Sequence, residues 1–132
     1  MQHRPSLKSP YIRCTPTIYF HFNQTWMTVV RIKENSWLAK MAARQLKADK
    51  VAMVLGKTIH LYDASKEEFL NNKRWVRHEV AHVKQYQKLG FVRFIFFYLI
   101  ETFSKGYEHN SFEVDARNKE RDMNIMHEIE FI

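Results

Sequence analysis

The placement of the helix breakers constrains this chain most. Its 132 residues contain three glycines and three prolines, and the prolines (Pro5, Pro10, Pro16) all fall within the first sixteen positions. Proline removes a helical N–H and clashes with the preceding turn, while glycine costs backbone entropy. From Ser36 onward, long helices can therefore form between Gly56, Gly90 and Gly106. The N-terminal part must be organised differently.

Residues 1–15 read as an irregular arm and 16–132 as a single domain. Thr17–Phe22 and Trp26–Ile32 are rich in β-branched and aromatic residues on either side of Asn23-Gln24, a pattern that predicts a hairpin. Asn35 or Ser36 can cap a helix over Trp37–Lys47. Two short strands, Lys50–Leu55 and Thr58–Tyr62, then meet at Gly56-Lys57. Ser65-Lys66-Glu67-Glu68 fits a capping box for a second helix. A third helix is expected from Asn72 to Leu89, a fourth, very apolar one from Phe91 to Ser104, and a last one from Ser111 to Glu128. Strands first and helices after make an α+β domain, with a small antiparallel sheet followed by a helical half.

Composition narrows the class. Apolar residues are 45% and aromatics 14% of the chain, enough for a packed core and too much for a disordered tail. Cys14 is the one cysteine, so neither an internal disulfide nor a cysteine-based zinc site can form, and a reducing, cytoplasmic location is expected. No secretory signal is legible in the first residues, and Phe91–Phe103 is too short and too charged (Arg93, Glu101) to span a bilayer. The formal charge of +7 favours anionic partners. The cations are scattered, however, with no basic-aromatic stripe, so a solvated basic surface accounts for them better than nucleic-acid binding.

The chemistry concentrates in His78-Glu79-Val80-Ala81-His82, an HExxH sequence. On a helix the two imidazoles sit about 40° apart around the axis, close enough to bind one Zn²⁺. Glu79, one step round, can act on a water in an open coordination position. The wheel places His78, Glu79 and His82 on the inward face with Trp75, Val76, Val83 and Tyr86, and puts Arg77, Lys84 and Lys88 on the far side. Ionisable groups on a buried face are costly without partners, and a metal satisfies the histidines together.

A catalytic zinc normally takes a third protein ligand. Downstream candidates are Glu101, Glu108, His109, Glu113, Asp115 and Glu120. Glu113 is favoured because it begins a new helix and can project back toward its neighbour, with His109 next. Asn110-x-x-Glu113 is also a capping box, the competing role for that carboxylate.

These residues resemble gluzincins, the HExxH peptidases whose third zinc ligand is a glutamate on a later helix. Glu113 and Ala116 match the E-x-x-A-D segment of the membrane-associated members, but Arg117 replaces the aspartate. The likeness is closer to small bacterial metallopeptidase-like domains reading H-E-x-x-H-V-x-Q-Y, a glycine, an apolar helix, then G-Y and N-x-F-E-x-x-A-R, and it covers roughly residues 58–120. It implies a minimal zincin fold with zinc at His78, His82 and Glu113, and a peptide or protein substrate. It also implies that the strand Thr58–Tyr62 lies at the cleft edge, where an extended peptide could add.

The expected reaction is zinc-assisted peptide hydrolysis with Glu79 as general base and Tyr107 or His109 as an oxyanion donor. The alternative is a zinc-stabilised binding or structural domain without turnover, and a weaker one is a basic binder of anionic ligands. His60 reads as an ordinary strand residue. The helix Phe91–Phe103 reads as a central core helix, its alternative being a docking face for a homodimer partner or a lipid surface.

Overall fold

The computed structural model describes residues 26–132. The N-terminal arm and the first strand of the expected hairpin, Thr17–Phe22, lie outside the described residues. The chain then runs β1 (Thr28–Lys33), α1 (Trp37–Leu46), β2 (Val51–Leu55), β3 (Thr58–Tyr62), α2 (Lys66–Asn71), α3 (Lys73–Leu89), α4 (Phe91–Lys105), a 3-10 turn (Tyr107–His109), α5 (Ser111–Lys119), a second 3-10 turn (Met123–Met126) and β4 (Ile129–Phe131). The fold is α+β.

The sheet has the order β2-β3-β1-β4. It is mixed, not antiparallel as expected. β2 and β3 form the predicted antiparallel pair about Gly56 (φ +63°), but β1 runs parallel to both β3 and β4. The cause is connectivity: α1 leads from the end of β1 into β2, and β2 runs back antiparallel, so β3 starts from the same end of the sheet as β1 and runs with it. β3 is thereby paired on both sides and cannot accept a peptide strand, so the expectation for Thr58–Tyr62 is corrected. Among the described residues, the edge strand next to the helical half is β2.

Side chains alternate across β3. Ile59 and Leu61 are fully buried with Phe69, Val76, Val80 and Val83 in the main core. His60 points to the other face, where Ser36 Oγ lies 2.8 Å from its Nδ1. Ser36 thus heads α1 without capping it by its side chain. Ala39 and Ala43 are the buried residues of α1. The sheet is therefore sandwiched between α1 and α3.

The helical half starts as its sequence signals dictate. Ser65 Oγ accepts from Glu68 N–H to begin α2, and Asn72 Oδ1 accepts from Trp75 N–H to begin α3. Gly90, at φ +82°, separates α3 from α4, a conformation an L side chain rarely adopts.

Two expectations fail here. The last helix ends at Lys119, not near Glu128: Asp122 Oδ1 accepts from Asn124 N–H and starts a 3-10 turn, a local bond that competes with helix. The chain then pairs with β1 as β4. The fourth helix is also not a central core helix. Phe94 is its one buried residue, and Val92, Phe96, Phe97, Leu99, Ile100 and Phe103 are exposed. Its inner face packs on α3 and the 3-10 turn, and among the described residues no further layer covers its outer face.

Candidate metal centre

The 17-residue helix α3 presents His78, Glu79 and His82 inward, as the wheel predicts, with Val76, Val80, Val83 and Tyr86 buried around them. Arg77 is half-buried, where its guanidinium donates to the Glu120 carbonyl at 3.0 Å. α5 packs against α3 and brings Glu113 to the histidines from its first turn.

His78 Nε2 lies 3.1 Å from Glu113 Oε2, His82 Nε2 lies 3.3 Å from Glu113 Oε1, and the two Nε2 atoms are 3.3 Å apart. His78, His82 and Glu113 form a cluster that could hold a metal ion. A tetrahedral ion bound at 2.0–2.1 Å would have ligand–ligand edges of about 3.3 Å, so the spacing fits a zinc-sized cation.

The outer hydrogen bonds support the same reading. His78 Nδ1 lies 3.0 Å from Glu120 Oε1, and His82 Nδ1 lies 2.9 Å from Gln85 Oε1. Both partners are acceptors, so each neutral ring carries its proton on Nδ1 and aims the Nε2 lone pair at the shared centre. Two lone pairs and a carboxylate then converge, an arrangement that calls for a cation. Protons can serve too. Burial opposes charge on His78, but Glu113, Glu79 and Glu120 override it and raise its pKa to about 9. Burial likewise works against charge on His82, and Glu113 and Glu79 raise it on balance. Burial would raise Glu113, yet hydrogen bonds from His78, His82 and Tyr98 hold it well below the ordinary carboxylate range. Metal and proton compete for the same lone pairs.

Glu79 is 4% exposed. Burial pushes its carboxyl up to about 7, against the pull of His82, His78 and a hydrogen bond from Trp75. A carboxyl near neutrality beside the cluster is suited to general acid-base work.

The capping role weighed for Glu113 is not the one it adopts. Asn110 Oδ1 caps α5 by accepting from Phe112 N–H at 2.9 Å, while the Glu113 carboxylate faces the histidines. Arg117 donates to the Glu108 carbonyl and leaves the Glu113 carboxylate to the histidines and Tyr98. Tyr107 is half-buried and lines a groove of about 510 Å³ with His78, Glu79, Trp75, Val51 and Glu120. Burial and the nearby Glu113 and Glu79 keep its hydroxyl protonated. His109 is exposed and lies apart from the cluster, because the 3-10 turn that seats Tyr107 sends it outward. Among the other candidate ligands, Glu101 accepts from Ser111 N–H at the start of α5. Asp115 takes the Gln85 amide at 2.9 Å.

Sequence reasoning missed two residues. Tyr98 on α4 donates to Glu113 Oε1 at 2.5 Å, and its backbone carbonyl is held by Asn110 Nδ2 at 3.0 Å. Its signal was hidden in an apolar run. Gln85 clamps His82 to Asp115 and to the Phe112 carbonyl, and its i,i+3 spacing from His82 was available as a cue.

The fold and the cluster define a class: an α+β domain with a two-histidine, one-glutamate metal-binding cluster between two packed helices. The family model described as the eCIS core domain matches residues 20–90, more than half of the chain. The chain belongs to the eCIS core domain family. The matched span takes in β1 through α3 with both histidines and Glu79, and ends before α4 and Glu113. No curated protein and no solved structure matches the chain.

Proposed function

We propose that this protein is a zinc-dependent peptide hydrolase of the gluzincin type, acting on a peptide or protein substrate. The observation that carries the reading is the tetrahedral spacing of His78 Nε2, His82 Nε2 and the Glu113 oxygens, 3.1–3.3 Å apart, with buried Glu79 beside them. A zinc ion held there supplies a Lewis acid and an acidified water.

The chain's own residues do the rest. The Glu79 carboxylate takes a proton from the attacking water as its oxygen bonds the scissile carbonyl carbon. It then delivers that proton to the amine nitrogen as the C–N bond breaks. The Tyr107 hydroxyl, in the groove, donates to the oxygen that becomes negative. Glu120 and Gln85 fix the imidazole tautomers, and Tyr98 holds the Glu113 carboxylate in place. The groove gives an extended peptide a path along the β2 edge to Glu79. The family's name refers to the extracellular contractile injection system core, and the proposed activity belongs in that setting.

The second reading is a metal-stabilised binding domain without turnover. What favours it is that the polar groups of the site are already satisfied: among the described residues every buried side-chain nitrogen and oxygen has a partner, and Tyr98 already occupies one Glu113 oxygen. Glu79→Gln separates the two. The expected outcome is full zinc binding with loss of cleavage across a broad peptide library. A wild-type protein that binds zinc but cleaves nothing, or a Glu79→Gln protein that cleaves as well as wild type, overturns the hydrolase reading.

A further inference from the structure

The outer face of α4 is apolar and exposed over its whole length. Val92 is 77% exposed, Phe96 58%, Leu99 46%, Ile100 48% and Phe103 86%. Val92, Phe96, Leu99 and Phe103 are spaced four, three and four residues apart. At 100° per residue they fall within an arc of about 60°, opposite Phe94 and Tyr98, which face the protein's own core. Four-three-four spacing is the seam by which one helix packs along another. Among the described residues, α4 thus carries two apolar stripes, one used by its own domain and one uncovered.

We propose that the uncovered stripe is a homodimer interface, in which α4 packs against α4 of a second copy. Three observations select a second copy as the occupant. The spacing fits a helical partner of the same 3.5-residue period, and α4 is itself such a helix. The stripe holds no charged residue: Arg93 lies at its margin, and Glu101 is turned to Ser111 and Lys105. Two identical faces therefore meet without like charges opposed. The area also suffices, since large side chains at these exposures offer on the order of 600 Å² of apolar surface. Two copies bury roughly 1,200 Å² in total, the lower bound for a specific interface. A two-fold axis makes such a contact self-complementary.

The dimer braces the metal cluster. Tyr98, on the inner stripe of the same helix, donates to Glu113, so fixing α4 from outside fixes the residue that holds the third carboxylate.

The test is sedimentation velocity on the full chain at micromolar concentrations, with Leu99→Arg as the variant. The expected result is a species of twice the 16.0 kDa chain mass for wild type and a monomer for Leu99→Arg. Equal far-UV circular dichroism and a cooperative unfolding transition in both proteins, with the wild-type Tm rising with concentration and the variant Tm constant, would establish that the charge breaks contact, not fold. Phe103→Asp, at the most exposed position, serves if Leu99→Arg fails to fold. A monomeric wild type overturns the proposal, as does a dimer that survives both substitutions. A monomer that sediments with anionic phospholipid vesicles through Phe103 would assign the stripe to a lipid surface instead.

Discussion

Removing the Glu120 carboxylate tests how the cluster is held without touching a ligand. Its Oε1 lies 3.0 Å from His78 Nδ1, and the side chains are 11% and 14% exposed. The bond fixes the tautomer that leaves Nε2 free to face Glu113 and His82. Loss of such an outer partner typically costs about 10–100-fold in metal affinity, or about 1.4–2.7 kcal/mol. The low exposure places Glu120→Ala within that range. Arg74 supplies the internal control. It also pairs with Glu120, but its side chain is 79% exposed, and exposed ion pairs contribute about 0–1 kcal/mol. Arg74→Ala should therefore weaken zinc binding no more than about fivefold. Competition against a chromophoric chelator at fixed pH reads both affinities, with thermal unfolding of the apo proteins as the check on folding. Zinc affinity unchanged by Glu120→Ala would refute the tether, as would an Arg74→Ala loss as large as that of Glu120→Ala.

Two further substitutions test the scaffold. Phe69 is fully buried and meets Trp75 edge-on at 5.3 Å, so Phe69→Ala should cost about 3–5 kcal/mol by urea denaturation; a loss below about 1 kcal/mol would contradict its place in the core. Glu101 accepts from the Ser111 hydroxyl and N–H, which lower its pKa to about 2. A carboxyl whose folded pKa is depressed adds stability above its unfolded pKa and loses it as pH falls toward the folded one. Stability should thus drop as pH falls from the ordinary carboxylate range toward 2, and Glu101→Gln should flatten that part of the curve. Parallel wild-type and variant slopes would remove Glu101 from the joint between α4 and α5.

Helix starts were legible because their signals are local, whereas the end of the last helix was not. Ser65, Asn72 and Gly90 act within one turn of where they stand, and the inward face of α3 follows from periodicity. β4 was not legible. Ile129–Phe131 is a strand because β1 offers an edge to it, and a pairing across a hundred residues leaves no local trace. The direction of β1 was hidden for the same reason. In α4 the obstacle was different: a helix apolar nearly all round does not reveal which stripe its own domain covers. The histidines and Glu79 were readable from spacing alone, and Glu113 with the help of a family resemblance. Tyr98 required knowing how α4 packs on α3, and the packing of α5 decided which candidates come close: Glu120 meets His78, while His109 lies outside the cluster.

Zinc-edge X-ray absorption on the full chain loaded with one equivalent of metal tests the central claim most directly. The account predicts one tightly held ion per chain with two imidazole nitrogens and carboxylate oxygen at about 2.0–2.2 Å. One imidazole should be lost in His82→Ala and the carboxylate in Glu113→Ala. A protein that holds no metal, or a first shell unchanged by both substitutions, would contradict it.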